Sequence, residues 1–272
     1  MGLQVLLVGR LRPELGVSGT HEGVPVADLR HPEAVQDAVA RLSGPEGSVL
    51  VLCGRADAVE VRDQLNLVSV ALPRTTVLLE PLPGSPLAVA ALAALVHDGD
   101  GTQDPAAQLG LLDRLAEGVW SAAWLPSVAR LDRPHPSLSQ HVRSWLGGSG
   151  FVAVHSPEAR VLTCPGQSMP PLDAPAGGSL MVADSGAPDW VVPALREALG
   201  ADAHEEFASW RDPRDAFGTP TCAEVLVVPG DLDDAHAVPA GTQECPGCGN
   251  RHARSVCPWC RMALTDLQGA DA

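Results

Sequence analysis

The sequence predicts an α/β protein with a small parallel-sheet domain first, a second α/β domain after it, and a compact cysteine module near the C-terminal end. Three observations carry this. Short continuous apolar runs alternate with helical segments over residues 1–104, aromatic residues begin only beyond that point, and four of the seven cysteines stand within residues 245–260. Apolar runs of four to seven residues, each followed by a helix, are what a parallel sheet covered on both faces requires.

In order, "LQVLLVG", "SVLVLCG" and "TTVLLE" read as buried strands, and "HPEAVQDAVARL", "ADAVEVRDQLNLV" and "PLAVAALAALV" as helices. This is a small Rossmann-like layer domain over 1–104. Trp120 is the first aromatic residue, and it opens a stretch holding five of the six tryptophans, Trp120, Trp124, Trp145, Trp190 and Trp210. A new core, and a boundary near residue 104 after the polar "DGDGTQDP", follow from that shift.

The second domain, 105–230, is expected to begin with helices. It continues with the strands "GFVAVHS", "GSLMVADSG" and "AEVLVVPG" and the amphipathic helix "DWVVPALREALG". "TCPGQSMPPLDAPAGG" reads as a surface loop. Residues 231–243 lose periodicity, turn acidic and read as a linker, the cysteine module spans 244–262, and the final "TDLQGADA" reads as frayed.

Composition bounds the chemistry. Across 272 residues there is no lysine, isoleucine or tyrosine, and Asn66 and Asn250 are the only asparagines; all four have AT-rich codons, so a GC-rich genome accounts for the pattern. Without lysine the chain has neither a Walker-type phosphate lysine nor Schiff-base chemistry. A formal net charge of -15 sets the body against nucleic acid and anionic membrane surfaces. No apolar run approaches a membrane span, the first residues do not resemble a secretory leader, and the expected location is cytoplasmic.

The cysteine spacing is Cys245-x2-Cys248-x8-Cys257-x2-Cys260. Two C-x-x-C steps facing one another make a tetrahedral thiolate site, which suits one zinc ion. Four thiolates leave no open position, so the metal is expected to be structural. Disulfides are disfavoured by the expected reducing compartment, and a thioredoxin-type pair would follow a strand rather than a linker. With "CPGC-G" and "CPWC-R" as paired knuckles, the segment resembles the short zinc-ribbon family. The only charged side chains from Cys245 to Arg261, namely Arg251, Arg254 and Arg261, together with Trp259, are candidate partner-binding residues; a merely solvated face and nucleic-acid contact are the alternatives.

"TTVLLEPLPGSPLAVAALAALV" resembles the last strand, turn and helix of response-regulator receiver domains. Glu80 stands in place of that family's lysine and Cys53 where its phosphorylated aspartate is expected, so the resemblance implies a degenerate, non-phosphorylated fold. No G-x-G-x-x-G follows the first strand, and "HEEF" is not H-E-x-x-H. Asp184 and Ser185 end a strand before a helix, where α/β proteins place ligands, and Ser185 or Asp189 reads equally as a helix cap. The adenylating enzymes that activate ubiquitin-like proteins also carry paired cysteine knuckles, but their glycine motif is missing here.

The leading expectation is therefore a non-enzymatic adaptor that binds a protein partner through the cysteine module. The alternatives are an enzyme or binding protein for a nucleotide or other phosphate-bearing small molecule at Asp184 and Ser185, and nucleic-acid binding through the module.

Overall fold

The computed structural model describes residues 3–43, 48–73, 75–97, 104–147, 150–230, 239 and 241–263. Strand β1 (Gln4–Gly9) is followed by a hairpin of β2 (Ser18–His21) and β3 (Val24–Asp28), which turns at Glu22 and Gly23, both with positive φ. Helix α1 (Pro32–Ser43), β4 (Ser48–Gly54), α2 (Ala58–Ala71) and β5 (Thr76–Leu82) complete a five-stranded sheet of order β2-β3-β1-β4-β5. Strands β3, β1, β4 and β5 are parallel, and β2 is an antiparallel edge. The four parallel strands, numbered by themselves, run in the order 2-1-3-4, and β2 is added at the edge beside β3.

Alternation along the strands divides the first sheet into two apolar faces. Leu6, Val8, Val49, Val51 and Cys53 face α1 and α2. Val5, Leu7, Leu50 and Leu52 face the other way, onto α3 (Pro86–His97) and α4 (Pro105–Gly118). Nearly every α3 side chain from Leu87 to Val96 is buried, because this helix is covered from both sides.

The cover on the far side is a second sheet. It comprises β6 (Trp120–Leu125), β7 (Phe151–Ser156), β8 (Arg160–Thr163), β9 (Ser179–Ser185), β10 (Glu205–Glu206) and β11 (Cys222–Val228), in the order β10-β9-β11-β6-β7-β8. Only the short β10 is parallel to its neighbour; the other pairs are antiparallel. Met181, Ala183, Leu226 and Val228 point to α3 and α4, whereas Leu180, Val182, Val225 and Val227 point outward to α6 (Val191–Ala198). The layers are therefore helices, sheet, shared helices, sheet, helix.

Helix α5 (Leu138–Leu146) is turned inside out. Its Ser144 hydroxyl meets Ser127 at 2.6 Å, and its Gln140 amide donates to the Val161 carbonyl at 2.7 Å, so the polar side faces the body. Leu138, Trp145 and Leu146 are left 86, 76 and 80% exposed. A short α7 (Pro213–Phe217) precedes β11, and a two-stranded ladder, β12 (Gln243–Glu244) with β13 (Arg251–His252), carries the cysteines. Most of the 231–243 linker, at 231–238 and 240, and the expected frayed end, at 265–272, lie outside the described residues. No helix among the described residues is long and apolar enough to cross a membrane.

Candidate functional site

Parallel sheets present ligand sites at their carboxyl edge, where strand order reverses. Here β1 lies between β3 and β4, so that edge is marked by Gly9 and Gly54. The segment after β10 crosses this edge and links the two sheets. Trp210 lies over Gly9, where a side-chain carbon would stand 2.6 Å from its ring, and its indole N–H donates to the Pro86 carbonyl at 2.7 Å. Glycine at position 9 is thus dictated by the tryptophan.

Polar groups gather beside it. Arg211 reaches Asp57 at 2.6 Å with both side chains nearly buried. Arg12 donates to the Arg211 carbonyl at 3.2 Å and to the Ser185 hydroxyl at 2.9 Å. On the second sheet, Glu224 is buried and accepts the Leu87 main-chain N–H at 2.8 Å, at the positive end of α3. Burial pushes its carboxyl up to about 7, against the opposing pull of Leu87, Ser85, Arg211 and Arg12. Burial pushes the neighbouring Cys222 thiol up as well.

Of the two residues expected here, Ser185 joins this cluster through Arg12. Asp184 points elsewhere and accepts the Ala187 N–H at 2.8 Å, closing a turn. Arg12, Asp57, Arg211 and Glu224 escaped the sequence reading. A lone glutamate inside the apolar run "AEVLVV" was the one available signal, since Arg12 and Arg211 meet across 199 residues of chain.

The cysteine module builds a second site. The four sulfurs of Cys245, Cys248, Cys257 and Cys260 lie within 4.8 Å of one another, with pairs at 3.5 and 3.6 Å. A tetrahedron with metal–sulfur bonds of about 2.3 Å has edges of about 3.8 Å, so the set fits one metal ion. The two knuckles repeat: the Gly249 N–H donates to the Cys245 carbonyl at 2.8 Å, and the Arg261 N–H to the Cys257 carbonyl at 2.9 Å. Both closing residues have positive φ, 74° and 62°.

The module sits on the body. Arg254 grips Asp113 of α4 with a two-pronged contact at 2.6 and 2.9 Å and bonds Glu80 of β5 at 2.5 Å. Arg251 pairs with Asp104, the N-cap of α4, at 2.8 Å, and Trp259 packs against the apolar layer between the sheets. Glu80, at the receiver family's lysine position, thus serves as an anchor for this module. Arg261 lines a separate cavity with Arg62.

No protein-family model matches the sequence, and no curated protein does. Solved structures do match in fold. A DegV family protein from Eubacterium eligens, solved loaded with heptadecanoic acid, has a TM-score of 0.56 at 10% identity, covering 84% of this chain and 99% of that one. The fatty acid kinase B3 protein of Streptococcus pneumoniae, loaded with linoleic acid, gives 0.52 at 10% identity, with 84 and 99% covered. A DegV family protein from Corynebacterium glutamicum gives 0.54 at 12%, with 84 and 98% covered. These matches overturn the expected protein adaptor: the fold is one solved around small-molecule fatty acids, and Arg251 and Arg254, expected to hold a protein partner, are bonded to the chain's own acids. Across 84% of its length the chain has the fold of DegV family structures.

Proposed function

We propose that this protein binds a long-chain fatty acid or similar apolar carboxylic acid, its tail in the layer along α3 and its carboxylate toward Arg12 and Arg211. The observation that carries the reading is the fold, shared over nearly the full length of structures solved with heptadecanoic and linoleic acid. Two features of this chain support it. The layer between the sheets is apolar along the whole of α3, and two arginines gather at its polar end, where α/β sheets place ligands. A cavity of about 470 Å³ beside β9 and β10 is the weaker candidate, since Asp202 and Glu205 on its rim repel a carboxylate. The small-molecule alternative thus takes the place of the adaptor, with a carboxylic acid as ligand in place of a phosphate ester. Extraction of the purified protein with organic solvent, followed by mass spectrometry and titration with heptadecanoic acid, tests it; one saturable site per chain is expected.

We further infer that the four thiolates hold a single zinc ion, as in a zinc ribbon, because four sulfurs in a tetrahedral array select zinc when no redox partner is called for. Zinc would supply cross-linking energy to a segment with almost no core. A reducing cytoplasm, the location this reading assigns, keeps such cysteines available to a metal. We read residues 1–104 and 105–230 as two units that share the α3 and α4 layer, with 231–243 tethering the module.

A further inference from the structure

Strand β5 is an edge of the first sheet, and the cysteine module wraps over it. Glu80 and Val77 point to opposite faces of the strand. On one face Arg254 holds Glu80; on the other, Arg261 meets α2 across a cavity of about 400 Å³. Arg62, Asn66 and Ser69 come from successive turns of α2 and ring this cavity. Its floor is Leu65, Val77 and Leu79.

Three features set it apart from ordinary surface. The lining contains two arginines and no acidic residue, in a chain with 33 acids against 18 basic residues. Among the described residues neither Arg62 nor Arg261 has an ion-pair partner, whereas Arg251 and Arg254 both do. Arg261 also occupies the position that Gly249 fills in the first knuckle, with φ at 62°. Glycine adopts this conformation freely and arginine only against its own Cβ, so the arginine stands where its backbone is disfavoured.

We propose that this cavity is a binding site for a small amphiphilic anion, a phosphate or carboxylate on a short apolar group, completed only when the metal-held module brings Arg261 opposite Arg62. The two guanidinium groups take the anion, the Asn66 amide adds a donor, and the apolar floor takes the remainder, while the Ser69 hydroxyl is already given to the Leu65 carbonyl. The site is separate from the fatty-acid site proposed above and rests only on the metal holding the module in place.

The test is calorimetric titration of the full-length, zinc-loaded protein with inorganic phosphate, hexyl phosphate and hexanoate. Saturable binding is expected for at least one hexyl-bearing anion, and its head group distinguishes a phosphate ester from a carboxylic acid. Arg261→Gly should weaken that binding about tenfold or more, equivalent to about 1.4 kcal/mol, while keeping one zinc per chain, because glycine relieves the strained knuckle. Arg62→Gln, on α2 and remote from the metal, should weaken it similarly. Absence of saturable binding by all three anions overturns the proposal, as does equal affinity for inorganic and hexyl phosphate, or unchanged affinity in both variants.

Discussion

The carboxylate of Glu224 on β11 lies 2.8 Å from the main-chain N–H of Leu87, so one hydrogen bond ties the second sheet to the start of the helix both sheets share. Buried carboxylates are costly unless they are bonded or protonated. Here the helix end satisfies one lone pair, while burial still lifts the group to about 7.

The native protein should therefore lose stability on the alkaline side. The folded pKa lies above the ordinary glutamate value of 4.5, so the contribution is fully present below that value and is lost as pH rises through about 7. Glu224→Gln keeps an acceptor for Leu87 and removes the charge. Urea unfolding should show the two proteins alike near pH 5 and the variant more stable near pH 8.5, by up to about 3 kcal/mol. Parallel pH profiles would show that the carboxyl is not buried as described.

Trp210 fills the space over Gly9 and donates to Pro86, so Trp210→Ala removes both a packed ring and a bond between the layers. A loss of about 3–5 kcal/mol in unfolding free energy is expected. Heptadecanoic acid should then raise the melting temperature of the variant more than that of the native protein, since the emptied space adjoins α3.

Removing metal should loosen the module without unfolding the body. Its anchors are Arg254 with Asp113 and Glu80, and its own core is little more than Cys245, Cys257 and Trp259. A chelator, or Cys257→Ser, should speed hydrogen exchange at residues 245–260 while leaving β1 and β4 protected. Arg254→Ala should speed exchange in the same segment by roughly tenfold, with zinc retained.

Trp145 on α5 is 76% exposed. Trp145→Ser should change the unfolding free energy by no more than about 0.5 kcal/mol, measured in urea.

How far the sequence disclosed all this varies by element. β1, β4, β9 and β11 are continuous apolar runs, and both of their faces are buried, which makes them legible. The strand "WSAAWL" hides behind alanine and serine, and the expectation of opening helices beyond residue 104 holds for α4 but misses β6 directly after it. The β2–β3 hairpin is hidden in the polar "SGTHEGVPVAD", where a turn at Gly23 rather than apolar alternation specifies the pairing. β8 and β10 are short additions to a sheet already begun, so local pattern carries little of their identity.

The four-cysteine cluster was legible because cysteines close in sequence are forced close in space. The arginine cluster was not, because Arg12, Asp57, Ser185 and Arg211 come from both sheets and converge only through the tertiary fold. The same distinction explains why the adaptor expectation fails. The three arginines of the module looked free for a partner in sequence, yet two of them meet acids more than 140 residues away.

The central claim is that an apolar carboxylic acid binds between the sheets. Its most direct test is mass spectrometry of organic extracts from protein purified without detergent, paired with titration of delipidated protein and of Arg211→Ala with heptadecanoic acid. The account predicts a co-purifying long-chain acid, saturation at one equivalent, and affinity lowered about tenfold or more in the variant. An empty extract together with no saturable binding would contradict it.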